Sequence, residues 1–293
     1  MTDSGMIPDD LRGAVTPGAG GLPKVVLRAA DGARAELYLH GAHVTSWVPA
    51  GGGDERLFLS AAAEFRDGAA IRGGVPVIFP QFAGMGPLPK HGFARTTAWS
   101  LAGVADDGAT ASATLRLGDT AATRALWPHA FAAELTVTVG GPSLVVRLAV
   151  ANMGRDDAFD FTAALHTYLR VADASRAALR GLGGARYRDS AAGGVERVQE
   201  EPELHVRGEV DRIYLGAPAS LELAEPGRVT HIASSGFPDV VVWNPGPTKG
   251  AALGDMEPDG ASRMLCVEAA AVGAPVRLAT ARRWEGTQTL TAL

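Results

Sequence analysis

From Lys24 onward the chain is a succession of short runs rich in Val, Leu, Thr and aromatic residues: KVVLRA, AELYLHG, HVTSWVP, ERLFLS, ATLRLG, AELTVTVG, SLVVRLAVAN, DFTAALHTYLRV, SLELA, RVTHIA, DVVVWN, MLCVEAAAV and TQTLTAL. Gly, Pro, Asp and Asn separate them at strand-like intervals. Many alternate in polarity, as antiparallel strands do when one face is buried and the other is wet. Only DTAATRALW, residues 119–127, reads as a helical turn or two, and Pro128 stops it for want of an N–H. There are no strand–helix–strand units, no fixed-period repeat and no linker-like break. The pattern therefore predicts an all-β, antiparallel single domain, a sandwich or barrel, over residues 24–293. A leader at residues 1–23, ending in TPGAGGLP, is expected to be flexible.

Composition narrows the partners. A net charge of -5 argues against a nucleic-acid binder, which would present a basic face to phosphates. The single cysteine, Cys266, excludes an intramolecular disulfide and offers no thiolate cluster for a metal. The first residues, MTDSGMIPDDLRGAV, lack the apolar core of a signal peptide. No apolar run approaches the roughly 18 residues of a membrane span. A cytoplasmic monomer acting on a small molecule is the expectation.

One segment breaks with the acidic balance. IRGGVPVIFPQFAGMGPLPKHGFAR, residues 71–95, carries Arg72, Lys90, His91 and Arg95, and no Asp or Glu occurs between Asp67 and Asp106. Arg offers a planar fork and Lys a point charge, both suited to an anion such as phosphate or carboxylate. The same cations would also serve as salt-bridge partners for acids elsewhere in the fold.

Three further features carry chemistry. In DFTAALHTYLRV, one strand face holds Phe159, Phe161, Ala163 and Leu165, while the other holds Asp160, Thr162, Ala164, His166, Tyr168 and Arg170. That second face either lines a concave site or is simply wet. In MLCVEAAAV a lone carboxylate, Glu268, sits among apolar residues, where an ionised group is costly unless its pKa rises toward that of a general base. The alternative is an edge strand with Glu268 in water. His40 and His43 form H-x-x-H, but residues three apart on a strand point to opposite faces, which disfavours a metal pair.

The ordered words RGGVPVIFPQF, LPKHGFAR, TRALWPHAF, LHTYLRV, VDRIYL, DVVVWNP and MLCVEAAAV resemble the glucose-6-phosphate 1-epimerases, or hexose-6-phosphate mutarotases, of the aldose 1-epimerase superfamily. The resemblance runs from about Ala35 to Leu293. It implies a galactose-mutarotase-like β-supersandwich and interconversion of the α and β anomers of a hexose 6-phosphate, without cofactor or metal. It implies His166 as general acid and Glu268 as general base, on opposite sides of the sugar C1, with His166 shifted upward by Glu268. Arg72 and Arg95 would bind substrate and its phosphate, His91 and Asp211 would hold sugar hydroxyls, and Lys90 would lie beside the substrate where the family often has Gln. The rival readings are an aldose 1-epimerase of unphosphorylated sugars, a β-sandwich that only binds carbohydrate, and a cupin-like metal isomerase built on His40 and His43.

Overall fold

The computed structural model describes residues 7–155 and 157–293. Two large antiparallel sheets of nine and eight strands face each other, with a four-stranded sheet beside them. The nine-stranded sheet is mostly long hairpins, such as Phe131–Gly140 with Ser143–Asn152. The eight-stranded sheet runs in the order Val195–Val198, Arg186–Asp189, Val210–Tyr214, Asp239–Asn244, Met264–Leu278, Phe159–Leu165 and Val77–Ile78, with Tyr168–Arg170 also on Met264–Leu278.

Strand alternation builds the core. Leu265, Val267, Ala269 and Ala271 point between the large sheets, beside Val240, Val242, Ala163 and Leu165. The intervening Cys266, Ala270 and Val272 join separate clusters on the other face. Both faces of Met264–Leu278 are buried over its first nine residues, so residues 264–272 read as a nearly continuous apolar run interrupted only by Glu268.

The second face is roofed by the Gly- and Pro-rich segment 79–95. An aromatic cluster pins both ends of this roof. The Phe79 ring centroid is 5.4 Å from Trp127, 5.3 Å from Phe131 and 6.2 Å from Phe93. Such pairs add about 0.5–1.5 kcal/mol each beyond the area they bury. Between the pins, Gln81 braces the loop, its Nε2 donating to Leu88 O at 3.0 Å and its Oε1 accepting from Leu88 N.

The structure also departs from the sequence reading. DFTAALHTYLRV is two strands, broken at His166 and Thr167. ERLFLS is extended but makes only isolated bridges at Leu57 and Leu59. Gly246–Ala252, rich in residues that usually stop helices, is a helix. Within the segment read as a leader, the described part begins at Ile7, and Val15–Pro17 pairs with Pro23–Arg28 at the edge of the small sheet. Among the described residues no helix is long and apolar enough to cross a membrane.

Candidate active site

The break at His166 keeps its strand in register. Leu165 lies opposite Ala269 and Tyr168 opposite Cys266, so His166 falls opposite Glu268. Residues directly opposite in an antiparallel pair share a face and bring their Cβ atoms to about 5 Å. His166 Nε2 and Glu268 Oε1 accordingly stand 3.3 Å apart. Glu268 is 1% exposed, which answers the question its apolar flanks raised: the carboxylate is buried and not on a wet edge. His166 stacks on Tyr168 (centroids 4.9 Å, planes 12° apart) and meets Trp243 edge-on.

This geometry corrects two expectations. The imidazole and carboxylate are side by side, so a sugar must approach them from the pocket and cannot lie between them. His166 is also not shifted upward. Burial strips water from its imidazole, and His91, Arg95 and Arg72 add to the effect, holding it well below its ordinary value. Burial, with Asp211, pushes the Glu268 carboxyl well above its own.

The cationic segment closes over this pair. The pocket holds about 520 Å³ and is lined by residues that include Arg72, Lys90, His91, Arg95, His166, Asp211 and Glu268. All seven residues singled out in the sequence therefore meet in one cavity. Phe82 and Trp243, which lie within the words RGGVPVIFPQF and DVVVWNP, also line it, as do Ser190 and Arg188, which carried no sequence signal.

The cations differ in how they are compensated. Arg72 donates from Nη1 to Tyr168 Oη at 2.9 Å, and its Nη2 is 3.0 Å from Asp255. Burial opposes its charge, but Tyr168 and Asp255 outweigh that and hold its pKa above the ordinary value. Thus an acid from a distant loop does pair with one cation of the segment. Arg95 has no carboxylate partner among the described residues, and its Nη2 donates only to Lys90 O at 3.2 Å. Burial, and the positive charge of Arg72, depress its pKa. Arg95 is a half-buried cation without a carboxylate partner among the described residues.

His91 is held by the roof. Its Nδ1 accepts from Ala83 N at 3.3 Å, which leaves the ring proton on Nε2. Burial first, then Arg95, lower its pKa to about 3, so it is a neutral donor. Asp211, half-buried on Val210–Tyr214, is raised by burial and by Glu209.

Several polar atoms here want a ligand. Glu268 Oε2, His166 Nδ1, Arg72 Nε and Arg95 Nε are buried with no hydrogen-bond partner among the described residues. Each such group costs about 1–3 kcal/mol if left unsatisfied, and clusters of them mark functional sites.

His166, Cys266 and Glu268 offer ligand atoms within 4.8 Å of one another. Arg72 and Arg95 share the cavity and repel a dication. His40 and His43 instead use their Nε2 atoms on the carbonyls of Ala69 (2.6 Å) and Gly73 (2.7 Å). The second bond braces the backbone next to Arg72.

The facing antiparallel sheets and the sequence together place the chain among the mutarotases of the aldose 1-epimerase family. The family model described as aldose 1-epimerase matches residues 23–291, and the chain belongs to that family. It is an isomerase of the aldose 1-epimerase type. It is 37% identical to the "Putative glucose-6-phosphate 1-epimerase" of Cenchrus ciliaris, over 93% of this chain and 85% of that protein. It is 35% identical to the Escherichia coli (strain K12) protein of the same name, over 81% and 79%. The crystal structure of YeaD from Salmonella typhimurium matches with a TM-score of 0.85 at 31% identity, covering 92% of this chain and 90% of that one. Galactose 1-epimerase from Lactobacillus acidophilus NCFM, at 13% identity and a TM-score of 0.72, shares the fold, covering 93% of this chain and 94% of that one.

Proposed function

We propose that the protein interconverts the α and β anomers of a hexose 6-phosphate, with glucose 6-phosphate as the reference substrate. The observation that carries this reading is the uncompensated guanidinium of Arg95 beside the His166–Glu268 pair. A sugar 6-phosphate brings a multiply charged anion to that cation, and the names of the relatives lend the same substrate.

The chemistry needs two proton transfers and no other reagent. Glu268 takes the proton of the C1 hydroxyl, the C1–O5 bond breaks, and His166 gives a proton to O5. The product is the open-chain aldehyde. Rotation about C1–C2 presents the other carbonyl face, and the two proton transfers reverse to close the ring. O1 and O5 are bonded to the same carbon and lie closer together than His166 Nε2 and Glu268 Oε1, so a pair of groups side by side serves both. Each positioned group typically contributes about 10²–10⁴-fold.

The pair starts with one proton to share. Burial favours its neutral form, with the proton on the carboxyl. A phosphate at Arg72 and Arg95 offsets the positive field that depresses His166. The same phosphate raises the pKa of both groups and so does not by itself choose between them; ring opening starts from the form with the proton on the imidazole and the carboxylate ionised.

The test is anomer exchange followed by NMR on glucose and on glucose 6-phosphate. This reading expects a catalysed rate on the phosphate that exceeds the rate on the free sugar at least tenfold. Equal rates on both would instead support an aldose 1-epimerase of unphosphorylated sugars. No catalysed exchange with bound sugar would support a carbohydrate-binding module.

A further inference from the structure

Glu268, Val241, Ile213 and Arg188 form one row across the eight-stranded sheet. Glu268 lies opposite Val241, Val241 opposite Ile213, and Ile213 opposite Arg188. At about 4.8 Å per strand, Arg188 stands roughly 14 Å of backbone from the carboxylate. Between them, Val241 and Ile213 give an apolar floor on which a pyranose ring can lie.

Arg188 is a free group in that row. It faces Glu196 across its hairpin, but that carboxylate sits 3.2 Å from Arg186. Among the described residues Arg188 has no ion-pair or hydrogen-bond partner, whereas the next residue, Asp189, caps the following turn through Ala192 N. The Arg188 side chain is half-buried and its stem runs over Gly194, where an added Cβ would meet Arg188 Cδ at 3.9 Å. The neighbouring row places Asp211 opposite Trp243, on the same face.

We infer that Arg188 is a specificity-determining residue that donates hydrogen bonds to the sugar hydroxyls at C3 and C4, the ring edge farthest from the reacting bond. This rests on the mutarotase reading above. With O1 and O5 at Glu268 and His166, the C6 phosphate lies next to O5 and therefore near Arg72 and Arg95. The C3–C4 edge then extends along the floor toward Arg188 and Asp211. A guanidinium only donates and an ionised carboxylate only accepts, so together they read a hydroxyl in both of its roles. A ligand lacking the C3 and C4 hydroxyls would leave both unsatisfied.

Arg188→Ala and Arg188→Gln, compared with the wild type on glucose 6-phosphate, 3-deoxyglucose 6-phosphate and 4-deoxyglucose 6-phosphate, test the inference. The expected result is a KM raised about tenfold on the parent sugar with kcat nearly unchanged, as for a lost hydrogen bond to a charged group. On at least one deoxy analogue the variants and the wild type should give the same KM, because the partner hydroxyl is gone. An unchanged KM on the parent overturns the inference, as does an equal loss on the parent and both analogues. A wild type that neither exchanges anomers nor binds glucose 6-phosphate brings down the mutarotase reading and this inference together. A fully active wild type with unaffected variants overturns only this inference.

Discussion

His166 and Glu268 face each other across two strands that keep a single register through a break. Leu165 pairs with Ala269 before it and Tyr168 with Cys266 after it, and the imidazole and carboxylate meet at 3.3 Å. The break leaves His166 at the pocket wall while Leu165 stays in the core. A buried proton-sharing pair thus follows from backbone register and not from loop placement, which fixes it against a rigid sheet.

Arg95→Ala should discriminate between substrates. Arg95 lacks a carboxylate partner among the described residues, so its loss removes little from the fold and a charged contact from the phosphate. The expected fall in kcat/KM on glucose 6-phosphate is tens-fold or more, since hydrogen bonds to charged groups contribute about 1.5–3 kcal/mol. On free glucose the value should hold. Equal losses on both sugars would remove the phosphate assignment.

Gly92→Ala should damage the roof. Gly92 has a φ of 69°, in the left-handed region, and an added Cβ would lie 2.3 Å from Phe79 O. Backbone there cannot move without shifting His91 and Arg95 on either side. The unfavourable conformation alone costs about 1–3 kcal/mol, and the clash adds to it. A urea denaturation curve should show at least that loss, together with reduced anomer exchange. Stability within about 0.5 kcal/mol of the wild type, a change typical of an ordinary surface site, would contradict the close packing described.

Acid should destabilise the protein well above the carboxylate range. Burial lowers the His43 and His91 imidazoles from 6.5 to about 3. Between those values the unfolded chain binds protons that the native state refuses, so stability rises with pH from about 3 to 6.5. At pH 5 each of the two costs roughly 2 kcal/mol relative to neutral pH. His166, also lowered, acts in the same direction. Glu268, raised by burial, acts in the opposite one: its contribution is present below its unfolded pKa and is lost as pH rises toward the folded value. Asp211, likewise raised by burial, acts with Glu268, and the three lowered imidazoles outweigh these two carboxyls between pH 5 and 7. The urea midpoint at pH 5 should lie clearly below that at pH 7, and equal midpoints would refute it.

Strand faces were legible in the sequence because alternation is a local property. Phe159, Phe161, Ala163 and Leu165 are buried between the sheets, with His166 and Tyr168 on the pocket side, as their spacing requires. Which strand neighbours which is not local, so the opposition of His166 and Glu268 could not be read from either run alone. Asp255 and Arg188 sit in stretches without motif or apolar contrast, and only the fold brings them to Arg72 and to the pocket. The helix at Gly246–Ala252 went unseen because its Gly and Pro content suits a turn equally well. The direction of the His166 shift is not legible in the sequence because burial sets it first, and the approach of His91, Arg95 and Arg72 that adds to it is contained in no sequence window.

The central claim is that a buried carboxylate and imidazole move protons at a sugar ring. Glu268→Gln and His166→Ala, assayed by NMR exchange on glucose 6-phosphate with calorimetric binding of the same ligand, test it most directly. The account predicts that each variant folds and still binds the sugar phosphate while its exchange rate falls at least about 10²-fold, as expected for a lost general acid or base. Exchange near the wild-type rate in either variant would contradict it.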